Sequence, residues 1–229
     1  MRKAVQATMQ ILLLGLFIFL FLHGKVQLWM FLVLAGILLS FFLGRVYCGW
    51  ICPINTVLHI ITGIRKKLHL RSFAVPKAVA KPWLRYVVLG VFAGIFVFTM
   101  LSGKKLPVLP ALFAIGVILT LFFDEAFWHR FLCPYGTIMR FPAAKSFFSM
   151  HIDEALCVDC GACPRVCPTS AIELKDECNE INKAECLICF KCTEICKKGA
   201  VRYGKGKKKA FPAPDETNNS ADVSIGLKN

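Results

Sequence analysis

Eight cysteines between Cys157 and Cys196 constrain this chain more than any other feature. They read Cys157-Val-Asp-Cys160-Gly-Ala-Cys163-Pro-Arg-Val-Cys167-Pro168, then Cys186-Leu-Ile-Cys189-Phe-Lys-Cys192-Thr-Glu-Ile-Cys196. Each half has the spacing C-x2-C-x2-C-x3-C. A turning backbone can aim the first three thiolates at one iron–sulfur cube, while the fourth leaves on a short helix and ligates the other cube. The spacing therefore assigns Cys157, Cys160, Cys163 and Cys196 to one [4Fe–4S] cluster, and Cys186, Cys189, Cys192 and Cys167 to a second. Zinc sites take four ligands, usually as two pairs, and not two interleaved quartets. Disulfides belong to oxidising compartments.

The two halves repeat at an offset of 29 residues, and the match runs on from the ligands to Ala171-Ile172 and Ala200-Val201. A repeat of this length marks a duplicated supersecondary unit. The stretch resembles a bacterial two-cluster ferredoxin, which implies a strand–helix–strand unit in each half. It departs from that pattern where Lys197, and not a proline, follows Cys196. Cys178 has no partner at ligand spacing and reads as a buried structural thiol.

The rest of the chain is of another kind. Hydrophobic residues make up 56% of the sequence, mean hydropathy is +0.59 and net charge is +14. Residues 1–150 carry 16 Lys/Arg against only Asp124 and Glu125, whereas residues 151–203 carry 7 against 9 acids. The basic excess thus surrounds the apolar segments, as in a membrane protein with one basic face. Nucleic-acid binding calls for a basic patch on a folded domain, so that class is set aside.

Four stretches suit a bilayer crossing, which takes roughly 20 apolar residues. They are Ala4–Leu22, Val26–Leu43, Trp83–Leu101 and Leu106–Phe123, the last with Pro107 in its first turn. No small-residue cleavage site follows the first, so it reads as an uncleaved helix. Arg85 is placed to reach the interface with its long side chain. Arg45, Arg65, Lys66, Lys67, Arg71, Lys77 and Lys81 follow the second span, and Arg130, Arg140 and Lys145 follow the fourth. Only Lys25, Lys104 and Lys105 lie on the other side. Lys/Arg enrichment marks the cytoplasmic face, which puts both termini and the cysteine quartets in the cytoplasm. Ile54, Val57, Leu58, Ile61, Ile64 and Leu68 recur at helical spacing, which predicts an amphipathic helix along that face.

A second constellation sits beside these spans. After the second span comes Cys48-Gly-Trp-Ile-Cys52-Pro53; after the fourth comes His129-Arg-Phe-Leu-Cys133-Pro134. The membrane half is thus a tandem repeat, two spans and a Cys-Pro turn per unit. Taken with the ferredoxin pair, this pattern resembles the NapH/NosR-type membrane 4Fe–4S polyferredoxin family up to about Tyr203. The resemblance implies a membrane electron carrier that takes electrons from quinol toward a partner. In the family both turns carry C-x3-C-P; here His129 stands where the leading cysteine of the second turn belongs. If the turns meet, Cys48, Cys52, His129 and Cys133 offer a soft-metal or iron–sulfur ligand set, a third centre. Packing thiols and an interfacial histidine remain the other reading.

The expected fold class is an α-helical membrane protein, four transmembrane helices as a tandem two-helix repeat, with a C-terminal α+β two-cluster ferredoxin-like domain. The expected domains are 1–150 in the membrane, 151–203 carrying two [4Fe–4S] clusters, and a disordered polar tail at 204–229. The expected site is the cytoplasmic membrane. No span contains a histidine for axial haem ligation, and no span core holds the ionisable groups of a pump. The resemblance implies a relay between the quinone pool and a redox partner subunit, a reductase or multihaem cytochrome, as the electron-transfer subunit of a quinol dehydrogenase. No residue set marks the quinone, although Tyr47, Trp50, Trp128 and Tyr135 lie at interfacial depth. The alternative is a CcoG-type assembly factor that reduces copper for a respiratory oxidase; such proteins carry an added soluble domain after the clusters.

Overall fold

The computed structural model describes residues 2–69, 73, 81, 83–102, 108–174 and 178–205. Arg71, Lys77, Lys104, Lys105, Leu106, Pro107 and the tail from residue 206 lie outside the described residues, with the expectations placed on them.

The first part of the chain builds one series of elements twice. The first unit is α1 (Arg2–Leu22), α2 (Trp29–Leu43), a π-turn (Tyr47–Ile51) and α3 (Pro53–Lys67). The second is α4 (Trp83–Ser102), α5 (Val108–Phe122), the short α6 (Glu125–Phe127), a π-turn (Trp128–Leu132) and α7 (Pro134–Ala144). The Cys-Pro pairs dictate this local course. Proline ends a helix, because it lacks an N–H and its ring clashes with the preceding turn, yet it suits the first position of a new one. The residue before it is pushed to extended backbone: Cys52 has ψ 117 and Cys133 ψ 108. Each preceding turn closes as a π-turn, with Cys52 N–H donating to the Tyr47 carbonyl and Cys133 N–H to that of Trp128, both at 2.9 Å.

The units pack crosswise. α2 lies against α7 and α3 against α5, while α1 and α4 cover α3 and α7 of their own units. Phe17, Trp29, Val33, Ile54, Leu58, Trp128 and Met139 fill the core between them. On the outside, large apolar side chains such as Leu12, Phe31, Phe42 and Phe98 stay exposed. Lys3–Leu22 and Val26–Leu43 are long and apolar enough to cross a membrane; Trp83–Thr99 and Pro110–Phe122 are shorter apolar helices among the described residues.

The cysteine-rich lobe contains β1 (Ser149–Ile152), α8 (Ala162–Val166), β2 (Ile172–Glu173), β3 (Glu180–Ile181), α9 (Lys191–Ile195) and β4 (Val201–Gly204). β1 pairs antiparallel with β4, from Ser149↔Gly204 to Ile152↔Val201, and β2 pairs with β3. Each half is therefore strand–helix–strand. The duplication extends to backbone conformation. Asp159, Gly161 and Ser170 have positive φ, and so do Ile188, Phe190 and Gly199 at the same offset. A β-branched residue such as Ile188 rarely adopts φ 53 and does so only where its surroundings over-determine it.

The lobe is seated on the first π-turn. Leu187 is 1% exposed and belongs to the core of the helical half. Trp50 Nε1 donates to the Ile188 carbonyl at 3.0 Å, and Tyr203 hydroxyl to that of Leu43 at 3.0 Å. Gly49 makes the closest approach. A Cβ there would run into the Leu187 carbonyl oxygen and carbon, which are backbone and cannot swing aside. Gly49→Ala is expected to push the lobe off its seat at a cost of about 1–3 kcal/mol. Thermal unfolding and limited proteolysis read this out; an unchanged midpoint would mean that the lobe rides clear of the turn.

Arg85, which the sequence places to reach the interface, is 4% exposed and donates to Glu185 of the lobe at 2.8 Å. The crosswise packing buries Tyr47, Trp128 and Tyr135.

Candidate iron–sulfur sites at the junction

The lobe brings its cysteines together as two interleaved sets. The Cys163 thiol is pushed up to about 11, by burial first and then by the neighbouring thiols of Cys157, Cys160 and Cys196. Burial raises Cys186 too, followed by Cys189, Cys167 and Cys192. In each set the fourth member comes from the other half of the repeat. The Cys167, Cys186, Cys189 and Cys192 side chains also line one cavity, closed by Pro168, Leu187 and Lys191 among others. All twelve cysteines are free thiols.

This donor set fits an iron–sulfur cube. Each set is four thiols, three from one half of the repeat and the fourth from the other, with no imidazole or carboxylate among them, the all-sulfur ligation that such cubes take. Backbone amides point at sulfur in both halves. Ala171 N–H donates to Cys167 Sγ at 3.2 Å. At the equivalent position Cys196 lies below the usual thiol range: burial acts upward, but the N–H groups of Ala200, Val201, Lys198 and Gly199 outweigh it. Such bonds stabilise thiolate and tune cluster potential.

The two sets differ in exposure. Cys186 and Cys192 are buried, and Cys189 packs against the helical core; Cys160 is exposed and Cys157 half-buried. Cys178 is half-buried, not buried; its thiol donates to the Asn179 carbonyl at 3.5 Å, and Cys157 is its strongest electrical partner.

Two buried ionic groups hold the inner set against the helices, and the sequence did not point to the first. Glu185, next to Cys186, lies 2.8 Å from Arg85 Nη1, 3.0 Å from Arg140 Nε and 3.5 Å from Arg45 Nη1. Burial alone would raise its carboxyl, but Arg85, Arg45 and Arg140 hold it below the usual carboxylate range. Three arginines of the helical half, on α4, on α7 and in the link between α2 and the first π-turn, thus meet one carboxylate of the lobe. The second group is Glu125, His59 and Lys191. Glu125 Oε2 is 2.6 Å from His59 Nδ1, and the Lys191 ammonium is 3.3 Å from that nitrogen. Against the effect of burial, His59 and Lys191 keep Glu125 ionised. Glu125 is one of only two acids in the first 150 residues, which is the signal that could have flagged it.

The turns bring Cys48, Cys52 and Cys133 into one electrostatic neighbourhood. Burial raises Cys52 first, and then Cys48 and Cys133 do. Burial and Cys48 push Cys133 up to about 11, against the N–H of Gly136 at 3.3 Å from its sulfur. Cys48 Sγ also lies 3.6 Å from the Met139 thioether. Arg45 sits among these thiols, its charged form favoured by Cys48, Glu185 and Cys133 despite burial. The strongest electrical neighbours of His129 are different: burial depresses it to about 3 against the upward pull of Glu125, with His59, Arg45 and Lys191 adding to the depression.

Known families match both halves. One described as a 4Fe–4S binding domain matches residues 26–71, which include Cys48 and Cys52; one described as a 4Fe–4S dicluster domain matches residues 131–171. An uncharacterized protein of Methanocaldococcus jannaschii is 32% identical over 182 residues, covering 74% of this chain and 68% of its own length. The chain belongs to the NapH/NosR-type 4Fe–4S polyferredoxin family. The ferredoxin-type protein NapH of Haemophilus influenzae is 33% identical, covering 62% of this chain and 54% of its own. The methylamine utilization ferredoxin-type protein MauN of Methylobacillus flagellatus is 28% identical, covering 55% and 48%. The chain thus spans about half the length of these two relatives. No solved structure matches. As a member of this family it is an iron–sulfur electron-transfer protein.

Proposed function

We propose that this chain is a membrane-embedded relay that moves electrons between the quinone pool and a respiratory redox partner, as the electron-transfer subunit of a quinol dehydrogenase. Residues 1–150 form a four-helix transmembrane domain, residues 151–203 the ferredoxin-like domain and residues 204–229 a polar tail. The excess of Lys/Arg after the second and fourth spans supports cytoplasmic termini in the inner membrane.

Cys157, Cys160, Cys163 and Cys196 hold the outer [4Fe–4S] cluster; Cys186, Cys189, Cys192 and Cys167 hold the inner one. Each cube, when bound, takes up or gives one electron. The protein supplies the rest: amides directed at sulfur, a cavity with a largely apolar lining, and cationic side chains beside the inner set. The observation that carries this reading is the seating of the inner cavity's wall, at Leu187, on the first π-turn, with Cys160 of the outer set exposed to solvent. A relay needs one end near the bilayer and one end open to a partner. Reconstituted holoprotein treated with a quinol is expected to show EPR signals of both reduced clusters. In Cys189→Ala, which empties the inner site, the outer cluster is expected to stay oxidised on the same time scale. Equal reduction of the outer cluster in that variant would break the proposed order.

Cys48, Cys52, His129 and Cys133 are the candidate ligands of a third centre, three thiols and an imidazole that suit iron–sulfur or another soft metal; the Met139 thioether lies 3.6 Å from Cys48 Sγ. Iron beyond the roughly eight atoms of two cubes, or copper, lost in Cys133→Ala, identifies it. The holoprotein with neither removes it.

A further inference from the structure

One seam of the helical half is polar where it is buried. On α3, Asn55, His59 and Thr62 recur at i, i+4 and i+7 and so share one face. α3 packs against α5, and α5 meets the second π-turn, whose Trp128 lies against Gly116 of α5 beside Ile54 of α3; His129 follows Trp128 in that turn. Asn55 is 0% exposed and Trp128 2%. Both amide atoms of Asn55, His59 Nε2, Thr62 Oγ1, Trp128 Nε1 and His129 Nε2 are buried with no hydrogen-bond partner among the described residues. The matching region of the first unit is different: Trp29 Nε1 donates to the Tyr47 hydroxyl at 2.9 Å.

Buried polar atoms are nearly always paired, and each one left alone is costly. Five side chains in one seam therefore point to an occupant that both donates and accepts hydrogen bonds. We propose that the seam between α3, α5 and the second π-turn binds the head group of a quinol or quinone. This rests on the quinone reading above. A quinol head presents hydroxyls and the quinone head carbonyls, so both oxidation states find partners among an amide, a threonine hydroxyl, an indole N–H and imidazoles. The seam ends at the His59–Glu125 pair, where a carboxylate oxygen is a ready acceptor. Beyond it Lys191 flanks Cys192, and Glu125 acts electrostatically on Cys189. A head group in this seam would therefore lie beside the inner cysteine set and not the outer one.

The test is saturable quenching of tryptophan emission by decylubiquinone, with full-length holoprotein in nanodiscs, read together with thermal unfolding. Asn55→Leu and Thr62→Val replace unpaired polar atoms by apolar groups of similar size, which leaves folding stability unchanged or higher. Binding is expected to weaken about tenfold in each, the loss of a hydrogen bond or more. Thr62→Ser, which keeps the hydroxyl, should bind as the parent does. If both apolar variants bind as tightly as the parent, the head group sits elsewhere and the quinone reading survives. If the parent itself shows no saturable quenching, the site and the quinone reading both fall. Weaker binding with lowered unfolding midpoints in both variants would make these residues structural and overturn the assignment.

Discussion

Glu185→Ala is expected to unseat the ferredoxin lobe. The substitution leaves Arg45, Arg85 and Arg140 buried around nothing, and breaking a buried ion pair from one side costs about 3–5 kcal/mol. Arg45 and Arg85 are 1% and 4% exposed, so neither can turn to water without opening the junction. The expected result is protease cleavage between α7 and β1 and a sharply lower unfolding midpoint. Glu185→Gln keeps the shape and restores part of the hydrogen bonding, so it should fall between. The junction also has a defined response to acid. The folded Glu185 carboxyl lies below its ordinary value of 4.5. Its contribution is therefore complete above that pH and is lost as pH falls through the lower, folded value. Glu125 is depressed in the same direction. The lobe should come away in acid and stay seated as pH rises through neutrality. An alanine variant as stable as the parent, with the same acid midpoint, would show that the apolar contacts of Leu187 carry the junction alone.

The second large effect concerns which cluster each cysteine serves. Cys196→Ala and Cys157→Ala are expected to lose the same EPR signal, and Cys167→Ala and Cys186→Ala the other. Each variant should fall from about eight to about four iron atoms per chain. The partners in each pair stand in opposite halves of the repeat, so a chain whose halves folded around their own quartets would give the reverse grouping. Cys196→Ala removing the same signal as Cys192→Ala would be enough to reject the interleaved assignment.

Much of this molecule is written locally. The two strand–helix–strand units follow from the 29-residue repeat, and the paired positive-φ positions recur with it. The helix breaks at Cys52-Pro53 and Cys133-Pro134 follow from proline chemistry. α3 runs from Pro53 to Lys67, close to the stretch that apolar spacing marked. Arg85 was legible only as a long cation near a helix end. Its partner lies 100 residues away, and no local pattern links the two. Cys178 likewise lacked any ligand spacing, yet the fold lays it beside Cys157.

The sequence by itself determined the cofactor class, the duplications and the apolar character of the helical half. Those depend on residue type and short spacing, which act within a turn or two of backbone. Only the tertiary structure decided that the lobe sits on the first π-turn, that three arginines close on Glu185, and that His59 pairs with Glu125. These contacts join segments far apart in the chain, and burial makes them strong: low dielectric raises the cost of a lone charge until its partner has to be found across the fold.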